Sequence, residues 1–209
     1  MKVAETTAGS DRGTSMCYAG ALVAILICVL PQSALAHSEV GVAGGAISGF
    51  LHPLSGLDHV VAMVAVGLWG AFLGAPAIWL LPIVFPLIMV CGGVLGIIGV
   101  PVPMVEIGIA VSAVVLGLLV AGAVRLPIAI AAAIVGAFGM FHGYAHGTEL
   151  PNAANAIAYS AGFVVATGML HLTGVALGLL TRWPYGIWAV RGGGLVVALV
   201  GVFFLRSAM

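Results

Sequence analysis

Long apolar runs separated by short polar breaks are the dominant pattern of this chain. Six runs reach about 20 residues, the length a helix needs to cross the hydrocarbon core of a bilayer. They occupy residues 58–74, 77–98, 104–122, 126–146, 155–180 and 187–205. The linkers are short and carry Pro, Gly or Arg, as in Arg182-Trp-Pro184. The pattern predicts an all-α fold, a polytopic transmembrane helical bundle with six full spans.

A shorter apolar run at residues 40–51 precedes these spans and ends at His52-Pro53. Pro53 has no amide hydrogen and Gly56 is conformationally free, so we expect the helix to break here. The short first segment is then either re-entrant or a seventh span. Asp58 follows the break in a position suited to the N-cap of the next helix.

Alternation of full spans places the polar residues toward one side of the bundle. The side where the helix after Asp58 begins is also the side where the run at 104–122 starts and the run at 126–146 ends. If the first segment is re-entrant, that side faces out of the cytoplasm. Arg125, Arg182 and Arg191 then face inward, which the excess of basic residues on cytoplasmic loops favours. If the first segment crosses, that side faces the cytoplasm and the three arginines face outward.

Composition supports the membrane assignment. Of 209 residues, 63% are hydrophobic and only 6% are charged, which excludes an ordinary soluble domain. The net charge is zero, so nothing points to a nucleic-acid partner. No long polar insert divides the apolar runs, so residues 37–209 form one predicted transmembrane domain.

The N-terminus reads as a cleavable signal peptide over residues 1–36. A basic start, an apolar run at 16–30 and the box Ala34-Leu-Ala36 fit that reading. The alternative is an uncleaved anchor helix. Cleavage would leave His37 first in the mature chain, where its amine and imidazole could form a secondary metal site at an entrance.

Two polar clusters stand out against this background. The first is His52-Pro-Leu-Ser-Gly-Leu-Asp58-His59, and the second is His142-Gly-Tyr-Ala-His146-Gly-Thr-Glu149. Ionisable groups are costly inside a membrane, and His with Asp or Glu is a common ligand set for divalent metals. The second cluster has i, i+4, i+7 spacing, which places its ligands on one helix face. We predict that the two clusters meet around a metal ion. The alternative is that the residues of the second cluster cap a helix end and face water.

Three further residues each have two possible roles. Glu106, in the first turn of its helix, is either a ligand or proton acceptor, or a carboxylate favoured by the helix dipole. His171 is a possible secondary metal ligand or a hydrogen-bonded packing residue. Met63 is a candidate soft ligand, with core packing the favoured reading.

The motifs Gly49-Phe-Leu-His52-Pro-Leu-Ser-Gly56-Leu-Asp58-His59 and Phe141-His142-Gly-Tyr-Ala-His146-Gly-Thr-Glu149 resemble the HupE/UreJ family of nickel-permease-like membrane proteins associated with hydrogenase and urease. The similarity covers residues 37 to about 205. It implies nickel uptake, with cobalt or another divalent metal handled by some members. It also implies that the important polar positions are His52, Asp58, His59, Glu106, His142, His146 and Glu149, with a looser match at Phe85.

These observations predict a bacterial inner-membrane permease for a divalent transition metal, nickel first, that supplies hydrogenase or urease maturation. The lipid bilayer and the transported ion are its expected partners, and no permanently bound cofactor is expected. One alternative is a metal-binding sensor or accessory protein; another is a metal- or haem-dependent membrane enzyme or electron carrier. No H-E-x-x-H motif occurs, and no Ser or Cys stands beside a plausible base, so we expect no enzyme activity.

Overall fold

A computed structural model describes residues 42–149 and 155–209 of the chain, without the side chains of residues 42–44 and 156. The signal peptide predicted at 1–36 and the secondary site predicted at His37 lie outside the described residues. Both therefore stay predictions.

Every regular element in the described part of the chain is helical. Seven α-helices follow one another, and a short 3₁₀ turn, Leu179–Arg182, extends the sixth. Their bounds are α1 Val42–Ser55, α2 Leu57–Leu73, α3 Ala77–Ile97, α4 Val105–Ala121, α5 Ile128–Thr148, α6 Ala156–Gly178 and α7 Gly186–Ser207. The prediction of an all-helical membrane protein is confirmed.

The predicted helix break lies between α1 and α2, whose axes meet at 82°. Helix α1 continues through Pro53 to Ser55, so the break is at Gly56, whose extended backbone (φ −99°, ψ 113°) is the N-cap of α2. Ser55 closes the end of α1 by donating its hydroxyl to the His52 carbonyl at 2.7 Å. The prediction that Asp58 is the N-cap was wrong: Asp58 lies in the first turn of α2.

The count of membrane spans is only partly settled. Helices α3, α5, α6 with its 3₁₀ extension, and α7 are long and apolar enough to cross, and the bent α1–α2 pair is either one broken span or a re-entrant segment. Helix α4 has 17 residues, about 25 Å at 1.5 Å per residue, which is short of a 30 Å core. The chain is a multi-pass helical protein, and six full spans stay a prediction.

Glycines bring α3 and α5 into direct backbone contact. On α3, Gly92 and Gly96 lie against carbonyls of α5, and on α5, Gly143 and Gly147 lie against carbonyls of α3. The facing carbonyls belong to Met140, Tyr144, Met89 and Gly93, in that order. Helices in a bilayer gain from such close packing because lipid supplies no hydrophobic drive for their association. Gly92 and Gly96 therefore serve the packing of α3 against α5.

Helix α6 is held in the same way by both halves of the broken pair. Gly49 of α1 lies against the Tyr159 carbonyl, and Gly67 of α2 lies against the His171 carbonyl. Met63 of α2 is fully buried and belongs to the hydrophobic core, which is the packing role predicted for it. Helix α6 therefore forms a wall beside the break.

Arginines gather where α2 and α4 end. Arg191 of α7 donates its Nε–H to the Ala121 carbonyl at 2.7 Å, and the Arg125 guanidinium lies 4.9 Å from the ring centroid of Phe72. These residues lie at the opposite end of α2 from the break. Helices α2 and α4 therefore end on the same side of the bundle, as the predicted alternation of spans requires.

The α3–α5 contact can be tested with Gly143→Ala. A Cβ there would collide with the backbone of Met89, which must move, so we expect a loss of about 1–3 kcal/mol in stability. The measurement is the apparent melting temperature of detergent-purified protein followed by size-exclusion chromatography. Gly168→Ala in α6 is the matched control, because a Cβ there meets nothing within 4 Å. Equal melting temperatures for the two variants would contradict the packing described here.

Candidate metal centre

The break between α1 and α2 and the last two turns of α5 bring four histidines together. His59 lies against two of them, with ring centroids 4.5 Å from His146 and 5.2 Å from His142. His52 reaches the same group, 5.0 Å from His146. The prediction that the two sequence clusters meet is confirmed by these distances.

Three of the predicted ligands present atoms close enough for one ion. One ligand atom each from His52, His146 and Glu149 lies within 4.8 Å of the others. Within this group, His52 Nε2 and Glu149 Oε2 lie 3.5 Å apart. Two imidazole nitrogens and a carboxylate oxygen form a mixed donor set that suits divalent transition metals.

The other two histidines are oriented by hydrogen bonds through Nδ1. In His59 this nitrogen lies 3.0 Å from Oδ1 of Asp58, and in His142 it lies 2.9 Å from the Phe138 carbonyl. Both partners are acceptors, so Nδ1 carries the proton and Nε2 keeps a lone pair. Each Nε2 is buried without a hydrogen-bond partner. This is the arrangement found in metal-ligating histidines, in which a second group fixes the tautomer.

Exposure falls steadily across the group. The side chain of Glu149 is 59% exposed and that of His52 33%, whereas His59 is 13% exposed. His146 and His142 are deeper still, at 7% and 0%. The cluster therefore has a mouth at Glu149 and His52 and a closed end at His142.

Helix α6 supplies two wall residues that the sequence reasoning missed. The ring of Phe163 lies 4.3 Å from His146, and that of Tyr159 lies 5.9 Å from His52. The Tyr159 hydroxyl is buried without a hydrogen-bond partner, so it is available to a ligand or to its water. The i, i+4 spacing of the two aromatic residues after the Asn155 N-cap was the available signal.

Three predicted residues take other places. Asp58 bonds His59 and so supports a ligand. Glu106 is exposed at the start of α4, outside the convergent group among the described residues. His171 lies in α6 beyond Phe85, whose ring is 5.3 Å from His142 and 5.4 Å from His171.

The sequence of the chain is similar to that of known proteins. The family described as HupE / UreJ protein matches residues 24–204. Protein HupE of Rhizobium leguminosarum bv. viciae is 46% identical over 180 residues, which cover 86% of this chain and 94% of that protein. No solved structure matches the chain.

The support that Asp58 gives to His59 predicts the effect of Asp58→Asn. Loss of the charged acceptor frees the ring and its tautomer, so we expect the affinity for Ni²⁺ or Co²⁺ to fall roughly 10- to 100-fold. Equilibrium binding to purified protein measures this. Glu106→Gln is the comparison variant, and its affinity should equal that of the wild type. A matching loss in Glu106→Gln would place Glu106 in the ligand set.

Proposed function

The chain belongs to the HupE/UreJ family, and on that premise we propose that it is a permease for a divalent transition metal, nickel first. The family is linked to nickel or cobalt transport for hydrogenase or urease. The observation that carries the proposal is the convergence of four imidazoles inside an apolar helical bundle, with buried Nε2 atoms left without partners.

The donor set favours a borderline metal. Mg²⁺ and Ca²⁺ prefer oxygen ligands throughout, whereas imidazole suits nickel, copper and zinc. Thiolate ligands are missing from the group, and Cys91 is exposed on α3. Nickel is chosen among the imidazole-binding metals because of the family link.

The exposure gradient supports entry from one end. The Glu149 carboxylate at the mouth would attract the hydrated cation, and His52 and His146 would replace part of its water shell. His59 and His142 then offer Nε2 donors one step deeper. No single position holds all these donors on one ion, which suits a path through which ions must also leave.

The side of the membrane follows from the arginines. Arg125 and Arg191 lie at the end opposite the metal cluster. Cytoplasmic loops of inner-membrane proteins carry an excess of Lys and Arg. We therefore place the mouth of the cluster outside the cytoplasm of a bacterial inner membrane, which is the direction uptake requires.

The geometry of the cluster argues against a haem protein but fits a metal-binding accessory protein as well as a permease. A haem held by two histidines needs a flat macrocycle between their rings, whereas the rings here contact each other at 4.5–5.2 Å. A metal-binding accessory protein could use the same cluster, and only transport separates it from a permease.

Uptake by variants of the cluster tests the proposal. In cells that express the chain and lack other nickel uptake, His59→Ala and His146→Ala should reduce accumulation of radioactive Ni²⁺ to about a tenth or less, since each removes a buried ligand. The amount of protein in the membrane should not change. Excess Co²⁺ or Zn²⁺ added with the radioactive ion ranks the metals.

Thr148→Ala is the matched control for this experiment. Its hydroxyl donates to the Ala145 carbonyl in the same helical turn as His146, and it is exposed. Normal uptake is expected in this variant. Normal uptake in His59→Ala or His146→Ala as well would remove the cluster from the mechanism.

Membrane sidedness is tested with single cysteines placed at the two ends, after Cys17, Cys28 and Cys91 are changed to Ala. Ser55→Cys, beside the mouth, should react with a membrane-impermeant maleimide in intact spheroplasts. Tyr185→Cys, exposed at the arginine end, should react only after permeabilisation. The reverse pattern would place the mouth in the cytoplasm.

A further inference from the structure

Polar atoms without partners continue past the histidine cluster into the bundle. Thr167 is 0% exposed and His171 is 1% exposed, both on α6. The Thr167 hydroxyl and both ring nitrogens of His171 make no hydrogen bond. Among the described residues, every other buried side-chain atom without a partner belongs to the cluster or to Tyr159. The unpaired groups therefore form one continuous series and are not scattered through the core.

This series follows a single stripe on α6. Tyr159, Phe163, Thr167 and His171 repeat at i, i+4 spacing, so their side chains lie in a row along one side of the helix. From Tyr159 to His171 the row rises about 18 Å, more than half the thickness of a bilayer core. The next residue of the row is Val175, which is apolar, so the polar row ends at His171.

Phe85 separates the end of the cluster from the inner pair. Its ring is fully buried and stands edge-on to His142 at 5.3 Å and to His171 at 5.4 Å. An ion that leaves His142 for His171 must therefore pass this ring. A rotation of one aromatic side chain is a small barrier compared with a movement of helices.

A backbone carbonyl adds a further donor next to His171. Pro86 has no amide hydrogen, so the carbonyl of Pro82, one turn earlier in α3, loses its helical donor. This carbonyl lies near the His171 ring, in a geometry that falls short of a hydrogen bond to either ring nitrogen. Free carbonyls of interrupted membrane helices are common cation ligands in transporters.

A packing role explains these features poorly. An apolar side chain of similar size would fill the same space without burying two unpaired nitrogens. A histidine that serves only helix contact would be expected to bond a neighbour, as His142 bonds the Phe138 carbonyl. His171 forms no such bond, and the unpaired Thr167 hydroxyl belongs to a residue one turn earlier on the same side of α6.

We propose that Thr167, His171 and the Pro82 carbonyl form an inner, transient binding site for a divalent transition-metal ion, with Phe85 as the barrier between this site and the histidine cluster. The inference rests on the proposed transport function. All three donors are neutral, so the inner site holds the ion more weakly than the outer cluster with its carboxylates. Weak binding is what release toward the far side requires.

The first test separates binding from transport. His171→Ala and Thr167→Val should each keep the wild-type affinity for Ni²⁺ at the outer cluster in purified protein. Uptake of radioactive Ni²⁺ should fall to about a tenth or less in His171→Ala and less severely in Thr167→Val, because a step after binding is lost. Thr173→Val is the matched control, since this threonine is exposed and bonds the Met169 carbonyl. Normal uptake in His171→Ala would overturn the inner site.

The second test asks whether the ion reaches position 171. In the background without native cysteines, His171→Cys should give a sulfur-to-metal charge-transfer absorption when Co²⁺ is added, because a thiolate ligates the ion directly. Thr173→Cys should give no such band. A folded His171→Cys protein that binds Co²⁺ at the outer cluster and shows no band would also overturn the proposal. This readout decides the question even if His171→Ala proves unstable.

Failure of the permease function would be distinguishable from failure of the inner site. A wild-type protein that does not accumulate Ni²⁺ contradicts transport, whereas the Co²⁺ band in His171→Cys reports the inner site independently. Normal transport by the wild type together with an unaffected His171→Ala contradicts the inner site alone.

Discussion

Buried imidazole nitrogens that lack hydrogen-bond partners are the constraint on which the rest of this structure depends. Each unpaired polar atom inside the bundle costs about 1–3 kcal/mol, and His59, His142, His146 and His171 contribute six such atoms. Such a cost is retained only where the free lone pairs are used. The helices that carry these residues must therefore be held together by something other than the polar groups themselves, and glycine-lined backbone contacts supply that attachment.

The break at Gly56 has two consequences for the metal cluster. It turns the chain by 82°, so that His52 and His59 approach the same point from two helices. It also ends α1 at the cluster, where Ser55 satisfies the His52 carbonyl, which would otherwise lose its partner at a helix end. In a straight helix, His52 and His59 would lie about two turns, roughly 10 Å, apart. The cluster would then lack its exposed end at His52.

The sequence was sufficient for the fold class, the break and the meeting of the two histidine clusters, because apolar run length and alternation of spans act over the whole chain. It was insufficient for the roles of single carboxylates. Asp58 has the chemistry of a cap, a ligand and a support, and only its 3.0 Å contact with His59 selects among them. Glu106 lies two residues before Gly108, which packs against the Phe141 ring. The side chain of Glu106 is nevertheless exposed. Tyr159 and Phe163 were missed because their i, i+4 spacing, the available signal, is also common for aromatic residues that only pack in an apolar helix.

The distribution of charge along the bundle constrains how the proposed transport could be driven. Of the acidic residues in the described part of the chain, Asp58 and Glu149 lie at the mouth and Glu106 lies at the same end. The polar residues that lie deeper, His142, Thr167 and His171, include no carboxylate. A release coupled to protonation of a carboxylate would need one along the inner half of the path, and the described residues place none there. The membrane potential needs no such group: at 100 mV it supplies about 2.3 kcal/mol per elementary charge, and twice that for a divalent ion moving inward. In the proposed permease, carboxylates at the mouth followed by uncharged donors deeper in the bundle suit a path driven by that field.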